Sequence, residues 1–185
     1  MRRLLARLVP DESGYTMIEL LTAMGILGIV MTSLTTVFVS ATNADVRMNQ
    51  SFQAQTQART ALDRFRREGH AACRAEPAGP TTSITLTFLT SGSCPASGGR
   101  QVSWCTVATG PNRYGLFRAT GATCDATAAR VADYLTIASA FNYQATSQQR
   151  PKIAINFPVN PYPNSTRGTY TLDGDVVLRN VNRSA

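Results

Sequence analysis

The chain has 185 residues, room for about one domain, with 43% apolar residues, only 16% charged residues and a net charge of +7. Ser, Thr, Asn and Gln fill the place of the missing charges, a balance that suits an extracytoplasmic surface better than a cytosolic enzyme. Of the 18 basic residues only Lys152 is lysine, a bias that genome composition can produce and that carries no chemistry by itself.

Residues 1–14 hold Arg2, Arg3 and Arg7 against Asp11 and Glu12. An apolar run follows over residues 15–39, interrupted by a single charge, Glu19. Written as a helix, Met17 to Val39 spans about 35 Å, enough for a bilayer core of about 30 Å. Three preceding arginines favour a cytoplasmic N-terminus. A secretory signal peptide fits poorly. Pro10-Asp11-Glu12-Ser13-Gly14 separates the basic residues from the apolar run, and the run is too long. A plain membrane anchor gives no reason for Glu19, whose carboxylate would cost roughly 2.5–3.5 kcal/mol at a membrane centre.

Ser13-Gly14-Tyr15-Thr16-Met17-Ile18-Glu19-Leu20-Leu21 resembles the cleavage and methylation motif of type IV prepilins and type II secretion pseudopilins. Tyr15 stands where that family usually has Phe. The resemblance implies cleavage after Gly14 by prepilin peptidase, a membrane aspartyl protease, and methylation of the new amine at Tyr15. It implies that Glu19, one helical turn on, pairs with the terminal amine of a neighbouring subunit. An unpaired charge in hydrocarbon is costly and a pair satisfies both groups, so assembly relieves the penalty. Met17, Ile18, Leu20, Leu21, Ile26, Leu27, Ile29, Val30, Val37 and Phe38 would supply the transmembrane surface.

Residues 40–68 contain neither Pro nor Gly and are rich in Ala, Gln, Arg and Met, so the helix is expected to continue. Ala58, Leu62 and Phe65 form its apolar stripe, and Gly69 is a natural stop. The whole helix, from Tyr15 to Gly69, would measure roughly 80 Å. Beyond it the pattern turns to β. Strands are expected at Ser83–Leu89, Gln101–Val107, Gly115–Ala119 and Lys152–Phe157. Thr169–Leu172 and Val176–Val181 flank Asp173-Gly174-Asp175, which reads as a hairpin turn. Loops are expected at 77–80, 91–99, 110–111 and 158–168.

The expected fold is therefore α+β: a long N-terminal helix whose second half packs against a C-terminal antiparallel sheet. Residues 1–14 form the leader, 15–39 the membrane half of the helix, 40–72 its outer half and 73–185 the head. The closing run Leu172–Asn180 also resembles the last strands of minor pilins of the larger pseudopilin type.

Cys73, Cys94, Cys105 and Cys124 all lie beyond the membrane segment, and none form a Cys-x-x-Cys. An even count outside the cytoplasm points to two disulfides. Of three possible pairings, Cys73–Cys94 with Cys105–Cys124 is favoured. The first would tie the helix end to the loop after the first strand, and the second would join neighbouring strands or their edge. No metal or cofactor is expected.

Other chemistry has little to stand on. There is one histidine, His70, no Gly-x-Ser-x-Gly elbow and no Walker loop, so no enzyme is expected. Asp173 and Asp175 suit a turn more simply than a calcium site. Asn164-Ser165-Thr166 and Asn182-Arg183-Ser184 match the glycosylation sequon, and Trp104 reads as sheet core. The expected function is a structural subunit, minor rather than major, of a type IV pilus or a type II secretion-like pseudopilus. Its expected location is the cytoplasmic membrane and the surface filament. Its expected partners are prepilin peptidase, other pilins or pseudopilins and the membrane assembly machinery. The alternative is a DNA-binding minor pilin of an uptake system, suggested by Arg100, Arg113 and Arg118 near Tyr114 and Phe117.

Overall fold

The computed structural model describes residues 14–96, 98–145, 150–162 and 169–181. The leader arginines and both sequons therefore lie outside the described residues. The chain divides into two compact units, with the boundary between Arg47 and Met48.

The described part of the first unit is helical from Met17 onward. Helix α1 runs Met17–Ala71, and apart from Glu19 its N-terminal half carries apolar residues on every side. It is long and apolar enough to cross a membrane. The threonines in this half do not carry unsatisfied hydroxyls. Thr32 donates to the Gly28 carbonyl at 2.8 Å, Thr35 to Met31 at 2.8 Å and Thr36 to Thr32 at 2.6 Å. Back-bonding of this kind lets a hydroxyl sit in an apolar helix at little cost.

The second unit packs the rest of α1 against strands. Ala54, Ala58, Ala61, Leu62, Phe65 and Gly69 are its buried residues, one face at helical spacing. The expected stop at Gly69 is corrected here: the helix continues to Ala71. Gly69 instead permits close approach. A Cβ there would lie 2.6 Å from Val176 Cγ1.

The strands are β1 (Ala72–Glu76), β2 (Gly79–Thr81), β3 (Ser83–Phe88), β4 (Gln101–Gly110), β5 (Arg113–Thr120), β6 (Ala129–Leu135), β7 (Phe141–Gln144), β8 (Lys152–Val159) and β9 (Tyr170–Val177). They form one antiparallel sheet in the order β1-β3-β4-β5-β6-β8-β7-β2, with β9 on β8. Strand β8 presents Ile153, Ile155, Phe157 and Val159 inward, and β3 presents Ile84 and Leu86. Phe65 joins these to the helix. Its ring stacks on Phe141 at 5.3 Å and meets the edge of Trp104 at 5.4 Å. Trp104 is core, as its sequence context suggested.

Strand β4 is buried on both faces. Val102 and Trp104 face the core, while Ser103 and Cys105 are covered on the other side. The cover is the chain after β5: Ser103 donates to the Gly121 carbonyl at 2.6 Å, and Cys105 is bonded to Cys124. The other disulfide, Cys73–Cys94, ties β1 to the loop after β3. Among the described residues no cysteine is free.

The expected hairpin at Asp173-Gly174 is absent. Strand β9 runs straight through it, pairing Asp173 with Asn156, Gly174 with Ile155 and Asp175 with Ala154. The glycine serves packing rather than turning. A Cβ at Gly174 would lie 2.6 Å from an Nη of Arg66, which crosses the strand from the helix. Asp175 pairs with Lys152 at 3.0 Å. The expected loop at 77–80 also gives way in part, because Gly79 and Pro80 open β2 and pair with β7.

Candidate functional site

The residues singled out for processing lie at the start of α1. Gly14, Tyr15 and Thr16 precede the helix, which begins at Met17. The Thr16 carbonyl accepts from the Glu19 N–H at 3.0 Å and the Leu20 N–H at 3.2 Å, so Thr16 occupies the N-cap position. Thr16-Met17-Ile18-Glu19 has the spacing of a capping box. That signal was available in the sequence and gives Glu19 a second, local reason to be acidic: it stands in the first turn, where the helix dipole favours negative charge.

Tyr15 is 82% exposed, and a Cβ added at Gly14 would meet nothing within 4 Å. The peptide bond between them is therefore open on the described side. Glu19 is exposed, and among the described residues its carboxylate has no hydrogen-bond or ion-pair partner. Each of the ten apolar residues expected to form the transmembrane surface is at least 50% exposed. The unit thus combines an accessible Gly–aromatic bond, a lone carboxylate one turn into a helix and an uncovered apolar surface around it. None of these is a catalytic arrangement. Together they suit a segment that other molecules act on and cover.

Residues 10–35 match the model of the prokaryotic N-terminal methylation motif. The segment is a type IV prepilin-like signal. No curated protein and no solved structure matched the chain. The match covers this N-terminal signal alone; the long helix followed by an antiparallel sheet is an α+β arrangement of the kind expected for a pilin fold.

The arginines named for DNA have different surroundings in the head. Arg118 is largely buried and holds Glu68, with Nη2 to Oε1 at 2.9 Å. Glu68 also accepts from Trp104 Nε1 at 2.8 Å, which joins helix to sheet by a polar clasp. Phe117 is buried, and Arg100 lies over the Phe88 ring at 5.3 Å. Arg113 makes a bidentate pair with Asp133 at 3.1 and 2.7 Å and stacks on Tyr134, 4.0 Å from the ring centre. Arg113 and Arg118 are thus committed to carboxylates within the head, whereas Arg100 is exposed beside the Phe88 ring. His70 is spent as well: its Nδ1 lies 2.8 Å from the Val177 carbonyl.

Asp133 anchors an arrangement the sequence did not announce. Oδ1 accepts from Arg113 Nε and the Tyr134 N–H, and Oδ2 accepts from Arg113 Nη2 and Arg130 Nη1. Burial alone would push this carboxyl up, but the hydrogen bonds from Arg113 and Tyr134 and the two guanidinium charges prevail and hold it below the usual range. The hydrogen bond to Asp133 outweighs desolvation at Arg113 and raises its pKa above the ordinary value. Tyr134 has φ of 67°, the left-handed region, which costs a non-glycine residue roughly 1–2 kcal/mol.

Among the described residues no group of acidic, histidine or cysteine side chains is arranged to hold a metal ion.

Proposed function

We propose that this chain is a structural subunit, of the minor kind, of a type IV pilus or a type II secretion-like pseudopilus. Prepilin peptidase cuts it after Gly14, and the new amine at Tyr15 is methylated. The α1 segment then leaves the bilayer to pack among the helices of neighbouring subunits, and the head stays outside the membrane. Glu19 pairs with the terminal amine of a neighbour. The observation that carries this reading is the prepilin-like signal, set on an uncovered apolar run whose one charge, Glu19, lies in the first turn of α1.

Cysteines closed in two disulfides support a head outside the reducing cytoplasm. The polar clasp of Glu68 ties the outer part of the helix to the sheet within the head.

Mass spectrometry of the membrane fraction tests the processing step. The mature N-terminus is expected at Tyr15, carrying a methyl group. Gly14→Val is expected to leave the leader attached, because a branched side chain fills the space beside the scissile bond. An intact Met1 terminus in cells with active peptidase rules the reading out.

A further inference from the structure

The side of the head where α1 faces β6 carries a cleft of about 370 Å³, lined by Gln50, Gln53, Gln57, Arg130, Asp133 and Tyr134 among others. Its volume falls at the lower end of the range for small-ligand sites. Three glutamines recur here at helical spacing. Gln50 accepts from the Tyr162 hydroxyl at 2.7 Å, while Gln53 and Gln57 make no side-chain hydrogen bond among the described residues.

The opposite wall is irregular in a directed way. Along β6, Tyr114 pairs with Leu135, Leu116 with Ala132 and Phe117 with Arg130, so β6 carries an extra residue at each of two successive steps. Two bulges thus fall within Arg130–Leu135, the stretch that lines the cleft, and bulges re-aim side chains where a sheet serves a site. Within the Ala132–Leu135 bulge Tyr134 keeps its left-handed conformation, held by the hydrogen bond from its N–H to Asp133.

Charge selects the ligand. Asp133 accepts four hydrogen bonds, which exhausts a carboxylate's capacity. It is shared by two guanidinium groups, so the cluster keeps one net positive charge. Arg113 spends its fork on Asp133 and its face on Tyr134. Arg130 spends one N–H on Asp133, and its side chain is 56% exposed. The unspent capacity is therefore the remaining donors of Arg130, the carboxamides of Gln53 and Gln57, the Gln50 amide N–H groups and the Tyr134 hydroxyl. A guanidinium fork matches a carboxylate, and one net charge matches a monoanion. Carboxamides, each both donor and acceptor, match hydroxyl groups.

We propose that this cleft binds a small carboxylate that bears neighbouring hydroxyls, the chemistry of a sugar acid. Arg130 holds the carboxylate, and Gln53 and Gln57 hold the hydroxyls. Asp133 is a positioning residue that fixes Arg130. The site is independent of the processing and assembly steps and would give the head a ligand of its own.

Calorimetric titration of the full chain in detergent at low salt tests it, with glucuronate as the probe and glucose and acetate as comparisons. Saturable glucuronate binding is expected with a Kd on the order of 1 mM. Glucose, which lacks the charge, and acetate, which lacks the hydroxyls, should each bind at least several-fold more weakly. Arg130→Gln should weaken glucuronate binding about tenfold while the melting temperature stays near that of the parent, since the side chain is mostly in water. Gln53→Ala with Gln57→Ala should weaken glucuronate but leave acetate unchanged, a split that a merely structural role does not produce. No saturable binding by the parent chain overturns the proposal, as does unchanged binding by Arg130→Gln. Equal binding of glucose overturns the role of charge, and equal binding of acetate overturns the role of the hydroxyls.

Discussion

Gly69 and Val176 meet with no room for a side chain between helix and strand: a Cβ on the glycine would lie 2.6 Å from Val176 Cγ1. Alanine would ordinarily favour the helix by about 1 kcal/mol over glycine. Here the added methyl meets a β-branched side chain with one preferred rotamer, inside a packed core, and overpacking costs typically 1–3 kcal/mol. Gly69→Ala is therefore expected to lower stability by up to about 2 kcal/mol. Gly174→Ala is the contrast. Its new Cβ meets the tip of Arg66, which can swing into water, so the change should stay within about 0.5 kcal/mol of neutral. Denaturant melts of the two variants check this, and equal losses would refute the distinction.

Glu68 holds the helix to the sheet through Trp104 and Arg118, with only 17% of its side chain exposed. Glu68→Ala strips the indole N–H of its partner and leaves Arg118 uncompensated. The expected loss is about 2–4 kcal/mol, between the values for a lost hydrogen bond to a charged group and for a broken buried pair. Trp104 is the only tryptophan, so its emission reports on this clasp directly. A variant with unchanged emission and an unchanged melt would show that the clasp is incidental.

The large features were legible because they rest on period and composition. The apolar run from residue 15, the stripe of Ala58, Leu62 and Phe65 and the alternation in β3 and β8 each follow from which face meets a core. Asp173-Gly174 misled because a turn signal reads only its neighbours, whereas this glycine answers to Arg66, more than a hundred residues away. Strand β6 escaped notice because its bulges break the alternation by which a strand is recognised. The arginines looked free for the same reason: Arg113 finds Asp133, and Arg118 finds Glu68, only after the sheet has formed. Of the functional segment, the prepilin-like signal was legible because every residue of it is local. The cleft was not, because its two walls come from residues 50–57 and 130–134.

Asp133 sets a pH dependence with a definite sign. Its carboxyl is held below the usual range in the folded head, chiefly by Arg113 acting against the penalty of burial. The unfolded chain has the ordinary value of about 3.9. Between these values the unfolded state binds more protons, so stability rises with pH there. The contribution is fully present above about pH 4 and is lost as pH falls through the folded value. Asp133→Asn should be less stable than the parent at neutral pH, and the gap should narrow on acidification below about pH 4. Asp125, also held low by Thr127, is common to both proteins and does not affect the difference. A gap that stays constant from neutral pH to about pH 2 contradicts the assignment.

Glu19 separates cutting from assembly. The bond proposed for cleavage lies between Gly14 and Tyr15, before the helix begins, whereas Glu19 stands inside its first turn. Glu19→Ala removes a charge that is costly in hydrocarbon, so membrane insertion should be no worse. Cleavage at Tyr15 should proceed. On the proposed reading the variant loses the pairing of a carboxylate with a neighbour's amine, and with it the attraction that sets one subunit against the next. Its recovery in sheared filaments, or its cross-linking to other pilins, should fall while its amount in the membrane does not. Glu19→Gln distinguishes this from the local role at the helix start. Glutamine still suits the third position of a capping box, so the helix should begin as before, but it brings no charge to the pair. If Glu19→Gln assembles like the parent while Glu19→Ala does not, the residue matters for capping and the intersubunit pair is wrong. If both are cut normally and both fail to assemble, the charge is what the filament requires.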